Sequence, residues 1–207
     1  PLLKCDFDNS TCGFDYTADY DWTRLSGSTP TDKTGPSSDH TSGSGYYMYI
    51  RASGNYPNIG PFTLASPTFD ACVGEIRFFY HMYSYYANEY DYGDYYQPGT
   101  LQLEETADGV SWGTIWTKSG NHGDVWQSAT VSVSMHVRQV RLVGTTGEGE
   151  FSDMAIDDVT IAPRADCFLP TFAPTTSPRP TATPTPSPTQ IRPTPAPTVT
   201  PPPSIMR

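Results

Sequence analysis

The sequence predicts an all-β fold, an antiparallel two-sheet jelly-roll sandwich followed by a disordered, Pro/Thr-rich C-terminal tail. Several short segments alternate apolar with polar residues and are separated by Gly, Pro and Asn, which is the pattern of antiparallel strands. No segment carries a sustained i, i+3, i+4 apolar period, so the sequence offers no amphipathic helix. Runs of strands without intervening helices favour two packed antiparallel sheets.

Alternation of side chains identifies six strands. In CVGEIRFFYHMY, apolar residues alternate with mostly polar ones, so one face of this strand is predicted to enter the core. In the last segment, MAIDDVTI, the same alternation puts Asp157 on one face with Val159 and Ile161, and we expect that face to enter the core too. The six segments are 46–52, 72–83, 100–106, 129–135, 138–144 and 154–161.

Composition divides the chain into a folded part, residues 1–169, and a tail, residues 170–207. The tail is almost entirely Pro, Thr, Ser and Ala, so it cannot form a core and favours extended polyproline II. Two functions suit this composition, a stiff spacer and a mucin-like stalk that carries O-glycans. Either would connect the folded part to another module, and we expect the chain to be an excerpt of a larger extracellular protein.

The folded part is strongly acidic. Of the 12 Lys and Arg residues, three (Arg179, Arg192 and Arg207) lie in the tail, which leaves nine against 22 Asp and Glu and a net charge of −13. A domain that binds nucleic acid needs a basic face to displace counterions from phosphates, so this charge argues against that class of partner. Cations are the more natural small ligands of such a surface.

Four cysteines, Cys5, Cys12, Cys72 and Cys167, occur without C-x-x-C spacing, so two disulfides fit better than a zinc site. Cys5 and Cys12 flank a short turn and can close a small loop, leaving Cys72 for Cys167, although spacing alone does not fix the connectivity. Disulfides place the chain outside the cytosol. Asn9 begins an acceptor sequence for N-glycosylation, and no segment is long and apolar enough to span a bilayer.

Seven segments of the folded part occur in an order that points to a known family. They are CDFDNSTCGF, DYDWTR, TGPSSDHTSGSGYYMYIRASG, ASPTFDACVGEIRFFYHMY, GTLQLEE, SWGTIWTKSGNHGDVWQSATVSV and MAIDDVTIAPRADC. In this order the chain resembles the MAM domain of meprins, adhesive receptor tyrosine phosphatases and neuropilins, over about residues 4–167. The resemblance implies a jelly-roll sandwich, the disulfides Cys5–Cys12 and Cys72–Cys167, and an adhesive or oligomerising role without catalysis. The segment 84–99 departs from the family because it is longer and far richer in tyrosine.

The resemblance also implies a site for Ca²⁺ or another hard cation at Asp8, Asp39, and Asp157 or Asp158. A buried unpaired carboxylate is costly, so Asp157 needs hydrogen-bond donors, an arginine or a metal ion. The Gly- and Ser-rich loop around Asp39 is suited to turn carbonyl oxygens inward and complete a shell of about six to eight oxygens. The alternative is that Asp39 and His40 only cap the turn before the strand and that Asp157 pairs with an arginine.

A tyrosine-rich segment between residues 83 and 96, interleaved with acidic residues, is the most distinctive feature of the chain. Tyrosine supplies a large contact area at low entropic cost, and aromatic faces also stack on sugars or hold cations. The alternative is an insertion whose tyrosines pack on one another and on the sheet. The predicted contact residues are Tyr85, Tyr86, Tyr90, Tyr92, Tyr95 and Tyr96.

These observations predict a non-catalytic extracellular or cell-surface module, belonging to a membrane-associated parent, that mediates protein–protein interaction, cell adhesion or oligomerisation. Its partner would be a second copy or another extracellular protein. One alternative is a carbohydrate-binding module that holds a glycan with residues 83–96. Another is a glycosidase built on Glu150, Asp153 and Asp157, but alternation puts Glu150 on the opposite strand face, which makes a poor pair of carboxylates.

Overall fold

The computed structural model describes residues 1–16, 21–88 and 94–164, and these form eleven β-strands in two antiparallel sheets. The strands are β1 Leu3–Cys5, β2 Asp15–Tyr16, β3 Thr23–Leu25, β4 Tyr47–Ile50, β5 Phe62–Ala65, β6 Val73–Met82, β7 Thr100–Thr106, β8 Gly113–Ser119, β9 Gln127–Ser132, β10 Gln139–Thr145 and β11 Met154–Pro163. The first sheet has the order β3-β4-β11-β6-β9, with β1 also paired to β11, and the second has the order β2-β5-β10-β7-β8. The predicted all-β two-sheet sandwich is confirmed.

Helical structure is confined, in the described residues, to one turn of 3-10 helix at Tyr85–Asn88. No helix within those ranges is long and apolar enough to cross a membrane. The predicted tail and Cys167 lie outside the described residues, so the assignment of residues 170–207 as a linker or stalk stays a prediction.

All six predicted strands are present, with ends that differ by a few residues. Five further strands, β1, β2, β3, β5 and β8, lie outside the predicted segments. Three of these, β1 to β3, have only two or three residues, too few for an alternation to appear. β8 is an edge strand whose side chains are exposed or half-buried, so its sequence carries little core signal.

The core lies between the two sheets and is filled by alternating residues of both. On β6 the apolar residues at even positions from Ile76 to Met82 are buried there, as the alternation predicts. Trp22, just before β3, joins the two layers because its indole N–H donates to the Phe62 carbonyl of β5 at 3.0 Å. Fully burying one such large apolar side chain stabilises a fold by about 1.5–3 kcal/mol.

Strand β11 is the centre of the first sheet and pairs with three strands. Along one edge it pairs with β6, whereas along the other edge β4 covers residues 154–156 and β1 covers residues 159–161. The register with β6 shifts between Asp157 and Thr160, which is a β-bulge, and Asp158 has a left-handed backbone with φ 51°. Asp157 and Asp158 therefore lie opposite the gap between β4 and β1.

The bulge corrects the predicted faces of β11. Val159 and Ile161 point into the core, but Ala155 belongs to a separate cluster on the outer face of the sheet. The prediction that Asp157 shares the core face with Val159 and Ile161 is wrong, because the extra residue of the bulge reverses the alternation. Asp157 shares the outer face with Ala155 instead.

A long loop between β3 and β4, residues 26–46, covers this outer face and is called the covering loop below. Tyr47 and Trp126 pack beneath it. The Trp126 indole N–H donates to the Ser38 carbonyl at 3.1 Å, and the Tyr47 hydroxyl donates to the Gly27 carbonyl at 2.7 Å. At β4 the first sheet is therefore buried on both faces, by the core on one side and by the covering loop on the other.

One predicted disulfide lies wholly within the described residues. Cys5 at the end of β1 is bonded to Cys12, with 5.9 Å between their Cα atoms. Cys72 is also disulfide-bonded, and its predicted partner, Cys167, lies outside the described ranges. The Cys5–Cys12 pairing is thus confirmed, and it closes the loop that carries Asp8.

Asp153 is a carboxylate that is completely buried under the covering loop, with 0% of its surface exposed. Its Oδ1 accepts a hydrogen bond from the Ala52 amide at 2.7 Å, and its own amide donates to the Thr34 hydroxyl at 3.1 Å. Among the residues that the structure describes, its Oδ2 has no hydrogen-bond partner. Burial raises the pKa of Asp153 to about 7, against the lowering effect of the Ala52 amide.

We expect this carboxyl to make the protein less stable as the pH rises. The folded state keeps the proton of Asp153 up to about pH 7, whereas the unfolded chain releases it near pH 3.8. The stabilising contribution is therefore complete below the unfolded pKa and is lost as the pH rises through the folded pKa. The loss amounts to about 1.4 kcal/mol of unfolding free energy for each pH unit between the two values.

Urea denaturation of the full chain between about pH 5 and pH 8 measures this contribution. Asp153→Asn should remove part of the pH slope, because the amide side chain does not titrate. Asp15→Asn, which changes an exposed carboxylate on β2, should leave the slope unchanged. Identical slopes in the wild type and in Asp153→Asn would contradict the assignment.

Candidate functional site

The four aspartates of the predicted cation site meet where β11 is left uncovered between β4 and β1. Asp8 follows β1, Asp39 lies in the covering loop, and Asp157 and Asp158 form the bulge of β11. All four carboxylates are hydrogen-bonded to residues 40–46 or to one another's backbone. The structure therefore brings the predicted residues together, and the cluster of these four residues is called the aspartate cluster below.

Asp39 shapes the covering loop from inside. Its Oδ2 accepts a hydrogen bond from the Ser42 amide at 2.7 Å, and its Oδ1 accepts one from the Gly45 amide at 2.8 Å. Although burial acts to raise it, these amides hold the pKa of Asp39 below its ordinary value. Asp39 is thus an ionised carboxylate that closes its own turn, as the capping alternative expects.

Asp157 is buried without an opposite charge. Only 1% of its surface is exposed. Its Oδ2 accepts a hydrogen bond from the His40 amide at 2.9 Å, and its Oδ1 accepts one from the Asp158 amide at 2.7 Å. Its partners are therefore backbone amides rather than an arginine. Burial raises the pKa of Asp157 to about 7, and the amide bonds only partly oppose that rise.

Asp158 anchors the side chain of His40. The Asp158 Oδ2 lies 2.7 Å from the His40 Nδ1 and also accepts from the Thr41 hydroxyl. The His40 ring is stacked on the Phe79 ring of β6, with 3.4 Å between centroids and 18° between planes. Main-chain and side-chain contacts of His40 thus both fasten the covering loop to the bulge.

Asp8 joins the cluster from the disulfide-closed loop. Its Oδ1 accepts a hydrogen bond from the Tyr46 amide at 2.7 Å. A Cβ atom at Gly45 would lie 2.1 Å from that same oxygen, so only glycine leaves room for the Asp8 carboxylate. Arg24 supports this loop from the other side, because its Nε donates to the Phe7 carbonyl at 2.6 Å and its guanidinium lies 3.6 Å from the Tyr46 ring centroid.

The donor chemistry of the aspartate cluster fits a hard cation. Its members supply carboxylate oxygens, and hard cations such as Ca²⁺ take oxygen ligands of this kind. In the described part of the chain, however, no three or more His, Cys, Asp or Glu side chains form a group arranged to hold a metal. The carboxylates face backbone amides, so a cation would have to share or replace those contacts.

A second candidate surface is built from tyrosines. Tyr86 and Tyr96 pack around Phe151, with ring centroids 4.7 and 5.1 Å from the Phe151 ring. On this base, Tyr85 and Tyr95 leave 51% and 46% of their surfaces exposed. These five aromatic residues are called the tyrosine surface below. Tyr86, Tyr96 and Phe151 pack on one another, as expected of an insertion that packs on itself. Tyr85 and Tyr95 are exposed and available to a partner, as expected of a contact surface.

Lys33 of the covering loop reaches the same surface. Its Nζ donates to the Tyr86 hydroxyl at 2.8 Å and lies 5.2 and 4.9 Å from the ring centroids of Tyr85 and Tyr86. Lys33 and Phe151 belong to distant segments of the chain, and sequence reasoning missed both. An isolated apolar residue in the polar run EGEFSD was the available signal for Phe151. Tyr90 and Tyr92 lie outside the described residues.

The structure also locates the predicted glycan acceptor Asn9 and the carboxylates of the glycosidase alternative. Asn9 is exposed, which suits a glycan acceptor, and its modification stays a prediction. Asp153 and Asp157, two of the three residues of the glycosidase alternative, are 0% and 1% exposed beneath the covering loop. Glu150 lies before β11 and is half-buried.

Comparison with known proteins places the fold and the motifs in a family. A family model described as MAM domain, meprin/A5/mu, matches residues 5–168. The human MAM domain-containing glycosylphosphatidylinositol anchor protein 1 is 36% identical over 175 residues, which cover 79% of this chain and 17% of that protein. Thyroid hormone-induced protein B of Xenopus laevis is 34% identical over 163 residues, 75% of this chain and 22% of that protein. The chain thus spans about a fifth of the length of the curated relatives that it matches.

Solved structures agree on the fold. The K1 cleaved adhesin domain of Lys-gingipain from Porphyromonas gingivalis W83 superposes with a TM-score of 0.54 at 14% identity, covering 78% of this chain and 98% of that domain. The K2 domain gives a TM-score of 0.53 at 11% identity, with coverages of 77% and 97%. At such identities the likeness concerns the fold alone. The match of the family model and the identity to the curated relatives establish that this chain belongs to the MAM domain family.

Proposed function

We propose that this chain is a non-catalytic extracellular module through which a larger protein makes protein–protein contacts, in adhesion or in its own assembly. Membership of the MAM family supports this function. The Cys5–Cys12 disulfide supports an oxidising, extracellular setting. Relatives named as glycosylphosphatidylinositol anchor proteins support a place at the cell surface. The strong acidity of the folded part disfavours nucleic acid as a partner.

The observation that carries the proposal is the tyrosine surface. Tyr85 and Tyr95 are half-exposed, yet their rings rest on a packed base of Tyr86, Tyr96 and Phe151. Because the base already holds the rings in place, a partner that covers them pays little additional side-chain entropy. Exposed aromatics on a fixed base are the arrangement from which binding hot spots are made.

The partner that we propose is a second copy of the chain, and a different extracellular protein is the alternative. Self-association would let the module bring copies of the larger protein together. In a two-fold symmetric dimer both copies use the same surface, so a single self-complementary patch is sufficient. A single contact through such a small surface would be weak. Several modules held on one membrane would bind more tightly together, because each contact raises the effective concentration for the next.

A cation at the aspartate cluster forms the second part of the proposal. The residues that would hold it are Asp8, Asp39, Asp157 and Asp158, all of which lie where the covering loop meets β11. A divalent cation there would neutralise mutually repelling carboxylates and fasten the loop more firmly. Since Lys33 of the same loop contacts the tyrosine surface, the cation would also steady that surface.

We expect the full chain to self-associate with increasing concentration, as measured by sedimentation equilibrium. Replacing Tyr85 and Tyr95 by alanine together should raise the dissociation constant at least about tenfold, because hot-spot aromatics typically contribute more than 1–2 kcal/mol. Tyr16→Ala is the matched control, since Tyr16 is 45% exposed on β2. A monomer at every concentration would contradict homophilic assembly, and association that survives the double change would remove the tyrosine surface from it.

Calcium should stabilise the full chain if the aspartate cluster binds it. At a concentration about 100 times the dissociation constant the gain is about 2.7 kcal/mol, or roughly 5–10 °C in melting temperature for a domain of this size. Melting in calcium and in chelator measures the difference. Asp157→Asn should abolish it, whereas Asp15→Asn should preserve it. An identical melt of the wild type in calcium and in chelator would rule out the calcium site.

A further inference from the structure

An open cavity of about 360 Å³ lies beside the tyrosine surface. It is lined by residues from four distant parts of the chain, which include Asn58, Asp94, Thr100, Ser119 and Glu148. Gly99, Gly120 and Gly147 line it too. The volume falls at the lower end of the range of small-molecule sites, about 300–1,000 Å³. The cavity is separate from the aspartate cluster and has no role in the function proposed so far.

The polar walls of the cavity are held in place by hydrogen bonds. The Asn58 side-chain amide donates to the Glu148 Oε1 at 2.6 Å, and the Asn58 backbone amide donates to the Gly147 carbonyl at 2.9 Å. The hydroxyls of Thr100 and Ser119 lie 2.9 Å apart across the β7–β8 pair. These bonds fix the directions in which the walls present their polar atoms.

The residues that line the cavity still have both hydrogen-bond donors and hydrogen-bond acceptors that these bonds do not use. Glu148 retains its second carboxylate oxygen, and Asn58 retains one amide hydrogen. Only one of the paired hydroxyls of Thr100 and Ser119 uses its proton in their mutual bond, so the other proton remains available. The Asp94 carboxylate bonds to none of the described residues. The cavity therefore offers donors and acceptors together.

Tyr95 is an exposed aromatic residue next to the segment that lines the cavity. It follows Asp94 directly, and a Cβ atom at Gly149 would lie 2.9 Å from its Cε1, so the ring rests against the residue after Glu148. Tyr96 supports it at 4.9 Å between ring centroids. Close approach of both rings to Gly149 explains why a side chain is absent at that position. The exposed ring is thus held against Gly149 and Tyr96, one residue beyond Asp94 and one beyond Glu148 of the cavity lining.

We propose that this cavity binds a neutral sugar residue of a glycan, with Tyr95 against the apolar face of the ring and Asn58, Asp94 and Glu148 on its hydroxyls. Sugar hydroxyls both donate and accept, which matches the mixed capacity of the walls. A sugar ring also has C–H faces that pack on an aromatic side chain. The two carboxylates would repel sialic acids and sulfated sugars, so the site selects uncharged ones.

A lysine side chain of a partner protein fits the cavity less well. An ammonium group has three donors and no acceptor. It would satisfy the carboxylates but leave the free hydrogens of Asn58 and of the hydroxyl pair without acceptors. The inference goes beyond the proposed protein contacts, and it locates a glycan in a cavity between distant segments rather than on the tyrosine run alone.

Nuclear magnetic resonance titration of the full chain tests the proposal, with the backbone amides of Gly99, Gly120 and Gly147 as reporters, because these residues line the cavity. The probes are methyl glycosides of glucose, galactose, mannose and N-acetylglucosamine, with N-acetylneuraminic acid as the anionic probe and trilysine as the cationic one. We expect at least one neutral glycoside to shift the three reporters in the millimolar range and the anionic probe to leave them unmoved.

Variants assign the contacts. Tyr95→Ala and Glu148→Gln should each weaken the binding of the neutral glycoside at least tenfold, whereas Tyr16→Ala should not change it. Tyr85→Ala should also preserve it, which separates this site from the self-association of the tyrosine surface. The proposal is overturned if no neutral glycoside shifts the reporters, if both cavity variants bind as the wild type does, or if only trilysine shifts them.

Discussion

The buried carboxylate of Asp157 is the constraint on which the functional end of this domain depends. At 1% exposure and without an opposite charge, its oxygens must be satisfied inside the protein or the fold bears their desolvation cost. The chain meets this requirement with two backbone amides, one from Asp158 in the bulge and one from His40 in the covering loop. The bulge turns the Asp157 carboxylate away from the core. The covering loop must therefore lie against β11 for the His40 amide to reach it.

Because the covering loop is fixed at that point, it can lie across the first sheet and connect two surfaces that are distant in sequence. At one end, Asp39 closes the loop around the aspartate cluster. At the other end, the Lys33 carbonyl accepts from the Tyr85 amide at 2.9 Å, and the Lys33 ammonium contacts Tyr86. The aspartate cluster and the tyrosine surface are therefore both in contact with the same segment of the chain.

Alternation predicted β6 correctly because the extra residue of the bulge lies in its partner β11, so that the alternation within β6 itself is unbroken. Alternation failed on β11, because the bulge adds a residue that the two-residue period of a regular strand does not reveal. Two adjacent aspartates in an apolar strand were a visible sign of this irregularity. The aspartate cluster could be assembled in advance only from the family resemblance. The cavity beside the tyrosine surface could not be predicted, because Asn58, Asp94 and Glu148 are far apart in sequence and line one cavity only in the folded chain.

Hydrogen exchange of individual backbone amides tests whether the carboxylates of the aspartate cluster hold the covering loop in place on the sheet. The amides of His40, Ser42, Gly45 and Tyr46 donate to Asp157, Asp39 and Asp8. We expect these four amides to exchange slowly, close to the rate of amides within β11, while the amide of Gly43 in the same loop exchanges fast. Fast exchange of all five would contradict it, since the loop would then be held by none of these carboxylates.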